Sequence, residues 1–409
     1  MNRRTLTRSF LVATATGVAL PGALRAQTPS ASPVSSGDIR LAEIEGIALG
    51  LSPDGTMIAG VGKEDRFLVW DAETYETVAR SEPMPEISII DHTSVAWSPD
   101  STALAWSLDA ARLMLDSDIY VFDIDSGQIT NLTDDEPTDQ DAVSLMDDKV
   151  SGLALDVDLY PSWSADGESL YFARSTWEDV PEIATSLWRI PRDGGDATEI
   201  AVLAPDAPLL VSSIYAGMED GSVLYATWPV DSDGPHHGIF LVTPDGEVEG
   251  ISTGMLARTT LNMVLISVAP SARKASVVST ANYARLMGSS WIEIDLDTGV
   301  PTPFEEVLGL PIPQEDAGDE GLALAGAPAF LTDEAGALTG YLYFTADRGF
   351  DNFTLWQQDT EGGEGQALGS FDNAERRGSR HIPRIEIADN GMAGIFFGGN
   401  VWLTTIPGR

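Results

Sequence analysis

The densest set of side chains able to do chemistry lies between Thr133 and Asp158. Nine acids fall there: Asp134, Asp135, Glu136, Asp139, Asp141, Asp147, Asp148, Asp156 and Asp158. Calcium takes about six to eight hard oxygen ligands, so such a stretch is a place to look for one. The Asp-x-Asp-x-Asp-Gly register of a calcium loop is missing, however, and a like-charged run more often faces water. The stretch is expected at the surface, where its negative field can recruit a cation or a cationic partner, and it is the preferred contact region. The stretch Asp231-Ser232-Asp233-Gly234-Pro235-His236-His237-Gly238 offers two histidines beside two aspartates, types that suit zinc. Adjacent residues on an extended chain point to opposite faces, and Gly-Pro punctuates a turn, so a polar turn is the simpler reading. His92 and His381 stand singly, and the Asp-x-Asp-x-Gly runs at Asp123 to Gly127 and Asp295 to Gly299 sit where a hairpin needs Asp and Gly. There is no Gly-x-Ser-x-Gly elbow, no Gly-rich phosphate loop, no His-Glu-x-x-His and no cysteine. The sequence therefore assigns no catalytic, cofactor-binding or metal-binding residue and no cofactor, with calcium kept only as an alternative.

These residues are positioned by a repeated element. Ser94 to Trp106 reads as two short apolar runs joined by Ser98-Pro99-Asp100. Proline presets the turn dihedral and the aspartate can bond to the backbone just beyond it. Similar hairpins carry Leu51-Ser52-Pro53-Asp54-Gly55 and Trp163-Ser164-Ala165-Asp166-Gly167. Weaker copies occur at Met218 to Tyr225, Val268 to Val278, Leu331 to Phe344 and Ala388 to Phe397, which makes seven units. Asp54, Asp100 and Asp166 recur in register, so they are read as turn residues. A second alternating hairpin follows the first, at Phe67 to Val78, Ile119 to Leu132, Leu187 to Ile200, Ile239 to Ile251, Trp291 to Val300 and Leu355 to Leu368. Two hairpins per repeat make four strands, the makings of a propeller blade. Trp70, Trp97, Trp163, Trp188, Trp356 and Trp402 fall at repeated strand positions and are read as packing between blades.

The Ser-Pro-Asp-Gly hairpin followed by Tyr120-Val121-Phe122-Asp123 and a Gly turn resembles the repeat of TolB-type (WD-like) propellers, which also occurs in propeller domains of prolyl-oligopeptidase-like enzymes. The resemblance implies an all-β, seven-bladed β-propeller. It covers nearly all the chain after residue 38, but it concerns the propeller domain alone, since TolB proteins carry a further domain before theirs. Unit seven supplies only three strands of its own, at Ile385 to Ile387, Ile395 to Phe397 and Val401 to Ile406. Asp38 to Ile44 alternates and is expected to complete that blade, because an open edge invites aggregation.

Composition limits the rest. The 409 residues carry a formal charge of -40, with 63 acidic against 23 basic residues and lysine only at positions 63, 149 and 274. Such a surface repels nucleic acid and anionic membranes. Residues 1–26 read as an export signal: Arg3, Arg4 and Arg8 precede the apolar stretch Phe10 to Leu20, with cleavage after Ala26. Asn2-Arg3-Arg4-Thr5-Leu6 resembles a twin-arginine signal, although Thr7 departs from that pattern and leaves the general secretory route open. Residues 27–37 are Ser- and Pro-rich linker, and 38–409 form one propeller domain. The expectation is an exported, periplasmic or extracellular monomer without a membrane span in its mature form, acting as a non-catalytic binding module for a protein, peptide or carbohydrate. The alternative is a stand-alone propeller hydrolase, lactonase-like or metal-dependent, with carboxylates at the central channel.

Overall fold

Runs such as Ile47–Leu51 and Ile119–Asp123 are rich in β-branched, aromatic and small residues and end at Gly- and Asp-bearing turns. Each therefore folds back on its neighbour as a short strand. The computed structural model describes residues 39–62, 66–83, 95–107, 117–134, 155–179, 182–203, 210–228, 238–253, 262–280, 290–310, 323–347, 351–360, 363–372 and 383–408. Among them, strands form seven antiparallel sheets, the blades of a β-propeller. The one helix among the described residues is the single turn Phe304–Val307.

The innermost strands are Ile47–Leu51, Val95–Trp97, Leu155–Trp163, Leu210–Tyr215, Asn262–Ala269, Ala329–Thr332 and Arg384–Ile387. Successive ones pack side by side, and the seventh packs against the first. In blade six the inner strand is broken. Ala323–Leu324 and Ala329–Thr332 both pair with Leu338–Ala346, and the gap holds Pro328, which has no N–H to give a ladder. Blade seven takes Arg40–Leu41 as its outermost strand, with Arg40 opposite Leu403 and Leu41 opposite Trp402. The Ala42 N–H adds a bond to the Val401 carbonyl at 2.9 Å, and Ala42 and Ile44 are buried. The N-terminal strand thus closes the last blade, over fewer paired residues than the alternating stretch suggested.

The core lies between blades. Trp70 packs with Phe396 and Leu403 across the junction of blades one and seven, and Trp402 with Phe371 and Phe353 across that of six and seven. The turn aspartates act as expected: Asp54 Oδ1 accepts from the Ser52 hydroxyl and the Thr56 N–H, and Asp166 Oδ1 from the Ser164 hydroxyl and the Glu168 N–H.

The acidic stretch is placed differently at its end. Leu155–Trp163 is the inner strand of blade three, so Asp156 and Asp158 belong to the blade. Asp158 is 1% exposed, and its charge is matched by Arg174, whose Nε and Nη2 reach the two carboxylate oxygens at 2.7 and 2.6 Å. An ion pair is what admits an acid where an unpaired one is excluded. Residues 135–154 of that stretch lie outside the described residues, as do the signal and linker segments, Asp38, His92, Asp231 to His237 and His381.

The central channel as a candidate binding site

A cavity of about 530 Å³ runs along the inner strands of blades two to five and seven. Its lining includes Trp97, Trp163, Tyr215, Ser267, Arg384 and Glu386. Pro53, Pro99, Ala165 and Asp389, all from the turns after inner strands, line it as well. Strands surround it on nearly every side, so its groups are held by paired backbone.

Blade seven supplies the charged part. In Arg384-Ile385-Glu386-Ile387 the period of two sends Ile385 and Ile387 into the core between blades six and seven, leaving Arg384 and Glu386 together on the other face. Arg384 is 3% exposed. Its Nε donates to Glu386 Oε1 at 2.8 Å, its Nη2 donates to the Leu49 carbonyl, and its guanidinium lies 4.5 Å from the centre of the Phe396 ring. Glu386 Oε2 accepts the Leu51 N–H at 2.7 Å. The pair therefore grips blade one on both sides of Gly50, at the bulge where its inner strand shifts register. Gly50 keeps the space beyond it open: a Cβ there would stand 3.4 Å from Trp97 Nε1 and 3.6 Å from Glu386 Oε2.

Glu386 takes part in a wider pattern. Ser162 Oγ accepts the Ala216 N–H of blade four, and Ser213 Oγ accepts the Leu265 N–H of blade five, each at 2.9 Å. In all three cases an inner-strand side chain latches the next blade on its inner strand or one residue past it. Trp163 Nε1 is also spent on its neighbour, donating to the Ala96 carbonyl at 3.1 Å. Among the described residues, three polar atoms of cavity-lining residues, each shut off from solvent, have no hydrogen-bond partner: Arg384 Nη1, Trp97 Nε1 and Ser267 Oγ. Burial pushes the Tyr215 phenol up to about 12, so it is neutral at physiological pH.

The turn aspartates Asp54, Asp100 and Asp166 remain scaffold, and Asp123 and Asp295 likewise bond into their own turns, to Ser126 and Thr298. The tryptophans divide. All six pack between blades, Trp70, Trp188, Trp356 and Trp402 from third strands; Trp97 and Trp163 do so from inner strands, at the junctions of blades one and two and of two and three, and also line the channel. Position across the blade, not residue type, separates the two groups. Among the described residues no three His, Cys, Asp or Glu side chains are grouped to hold a metal ion, and no helix is long and apolar enough to cross a membrane. Sequence reasoning missed Arg384, Glu386 and Ser267. The signal available was the alternation of Arg384 and Glu386 with two isoleucines in a strand that must be innermost.

No protein-family model and no curated protein matches the chain. Solved structures similar to it include oligogalacturonate lyase from Vibrio parahaemolyticus, 11% identical with a TM-score of 0.49, covering 91% of this chain and 92% of that one. The β-propeller domain of Cps50 (Swd1) from Myceliophteria thermophila is 11% identical with a TM-score of 0.46, covering 90% and 99%. TolB from Acinetobacter baumannii is 14% identical with a TM-score of 0.38, covering 84% and 68%.

Proposed function

We propose that this β-propeller, with repeats of TolB type, is an exported binding module that receives its ligand in the central channel. The observation that carries the reading is the cavity of about 530 Å³, walled by aromatic rings and prolines, with Ser162, Ser164, Ser213, Arg384 and Glu386 among its polar lining. Small-molecule and peptide-end sites have that character: mostly apolar, about 300–1,000 Å³, with a few placed polar atoms. The hydrolase alternative needs free carboxylates in the channel. Both oxygens of Glu386 are engaged, one by Arg384 and one by the Leu51 N–H, which leaves Asp389, exposed at the turn end, as the other carboxylate of the lining and favours binding over that chemistry.

Gly50→Leu tests the reading, because the three atoms nearest to a Cβ at Gly50 belong to the side chains of Trp97 and Glu386, which both line the cavity. Peptide and glycan arrays probed with the wild-type protein and this variant should show ligands that only the wild type retains, at unchanged melting temperature. Ligands held equally by both proteins would place binding outside the channel. Export is tested separately, by N-terminal sequencing of the protein from the cell envelope or medium, which should begin at Gln27.

A further inference from the structure

We propose that the channel takes a ligand bearing a cationic group, with the Tyr215 hydroxyl as the hydrogen-bonding contact inside. This rests on the reading of the channel as a binding site and adds the chemical class of what binds. Tyr215 lies on the inner strand of blade four and lines the cavity. Its hydroxyl has no hydrogen-bond partner among the described residues and, unlike Arg384 Nη1, Trp97 Nε1 and Ser267 Oγ, it is not sealed from solvent. Gly217, two residues on and also in the lining, keeps that oxygen clear: a Cβ there would stand 2.7 Å from it. Gly217 has no positive φ that would call for glycine, so the close approach of the phenol is what requires it. Burial keeps the phenol protonated, so it can accept a hydrogen bond or donate one. A nearly enclosed polar atom left without a partner calls for a water, an ion or a role in function.

The charge a ligand meets in this cavity is negative. Among the described residues, three charged side chains line it: Arg384, Glu386 and Asp389. Arg384 is 3% exposed and is tied to Glu386 and to the Leu49 carbonyl, so its guanidinium is withdrawn from a ligand. The two carboxylates are within reach. Glu386 has its side chain 31% exposed, and Asp389 is exposed at the turn end.

The rim repeats that sign. The turns after the inner strands of blades seven, one, two and three stand edge to edge at one end of the cavity. The Asp389 N–H donates to the Pro53 carbonyl at 2.8 Å, the Asp54 N–H donates to Ser101 Oγ at 3.1 Å, and a Cβ on Gly167 would lie 3.4 Å from Pro99. Each turn puts a residue into the lining, Asp389, Pro53, Pro99 and Ala165 in that order. Each also carries an exposed acid, Asp389, Asp54, Asp100 and Asp166, and none holds a basic residue. Burial works against the charge of Asp54 and Asp100, but the bonds from neighbouring hydroxyls outweigh it, and the Ser164 hydroxyl holds Asp166 low as well. Arg192 pairs with Asp100, and Arg189 acts on Asp166 from nearby. Asp54 and Asp389 have no basic partner among the described residues. A cleft with charge of one sign at its mouth focuses the field and concentrates ions of the other sign. An anion is opposed both at the rim and inside.

A cationic group can belong to a free amine or to a peptide end, and the probes separate the two. The test is isothermal titration calorimetry of the full chain at about 0.15 M salt, where long-range attraction to the acidic coat is screened. The probes are butylammonium, trialanine amide, its neutral N-acetyl form, and N-acetyltrialanine, which is an anion. Saturable binding of butylammonium points to a free amine, and of trialanine amide alone to a peptide end; either supports the proposal. The neutral form should bind about fivefold more weakly than trialanine amide, and the anion more weakly still. Tyr215→Phe removes only the hydroxyl and should weaken the cation about three- to tenfold, the scale of a lost hydrogen bond. Asp389→Asn should weaken the cation about two- to fivefold and leave the neutral form unchanged. Acetylated forms binding as tightly as the amine would overturn the charge while leaving the channel a binding site. Affinity within about twofold in Tyr215→Phe would place the cation on the acidic coat and overturn the proposal. No saturable heat from either cation would overturn it outright, and Gly50→Leu on the arrays would then decide the channel reading by itself.

Discussion

Three turns built to one plan allow an internally controlled measurement. Asp54 accepts from the Ser52 hydroxyl at 2.6 Å, the Thr56 N–H at 2.9 Å, and the Thr56 hydroxyl at 2.9 and 3.0 Å. Asp166 accepts only from the Ser164 hydroxyl at 2.6 Å and the Glu168 N–H at 3.0 Å. Asp100 repeats the pattern of Asp54 with Ser98 and Thr102, and its Oδ2 also takes Arg192 Nη1 from blade three at 2.7 Å. Burial alone would raise the Asp54 and Asp100 carboxyls, but the bonds from neighbouring hydroxyls, joined at Asp100 by Arg192, outweigh it and hold both low. A net hydrogen bond contributes about 0.5–1.5 kcal/mol, and the low end applies where water can replace it. Asp166→Ala should then cost about 0.5–1 kcal/mol and Asp54→Ala about 1 kcal/mol. Asp100→Ala should cost about 1–2 kcal/mol, since a half-exposed ion pair adds only about 0.2–1 kcal/mol. Urea unfolding at constant m-value reads these differences. In an Arg192→Gln background the cost of Asp100→Ala should drop to that of Asp54→Ala. Equal costs at all three sites, or the largest at Asp166, would refute the bond-counting argument. Loss of ligand binding with stability intact would show that a turn residue serves the channel.

Deleting residues 38–44 removes the outermost strand of blade seven and the buried Ala42 and Ile44, each anchored in the core beside Trp70; soluble protein should fall, with light scattering reporting edge-to-edge aggregation. Asp295 is lowered to about 2, first by the Thr298 hydroxyl and next by Lys274. A carboxyl depressed on folding lends stability that is present above its ordinary value of 3.8 and lost as pH falls towards 2, so Asp295→Asn should narrow its melting deficit to the wild type between pH 5 and pH 2, as read by circular dichroism at about those values. At the buried Asp158–Arg174 pair, Arg174→Met alone should cost about 3–5 kcal/mol, while Arg174→Met with Asp158→Leu should recover much of it; additive losses in urea would contradict the desolvation argument.

The blade was legible because it is local. A Ser-Pro-Asp turn, a period of two and a Gly-closed second hairpin each lie within about a dozen residues, and counting them led to seven blades. Closure by the N-terminus was legible by subtraction, since the seventh unit held too few strands for a blade. The end of the acidic stretch was not. Asp158 reads as one more solvated acid until Arg174, sixteen positions on and across the hairpin, is seen to match it. Charge density in a sequence cannot tell a strand from a loop when the compensating residue is a strand away.

The channel was hidden for a stricter reason. Glu386 and Leu51 are 335 positions apart, and their bond exists only once the ring has closed. Before closure, Arg384-Ile385-Glu386-Ile387 is an unremarkable half-polar strand, of the kind found on any solvated sheet face. After closure Arg384 is 3% exposed, so its charge must be matched by its neighbours. Glu386 meets that demand twice over, through Arg384 and through blade one, whereas Arg384 meets it incompletely. An arginine is a costly way to hold a blade junction that serine manages elsewhere in the same ring.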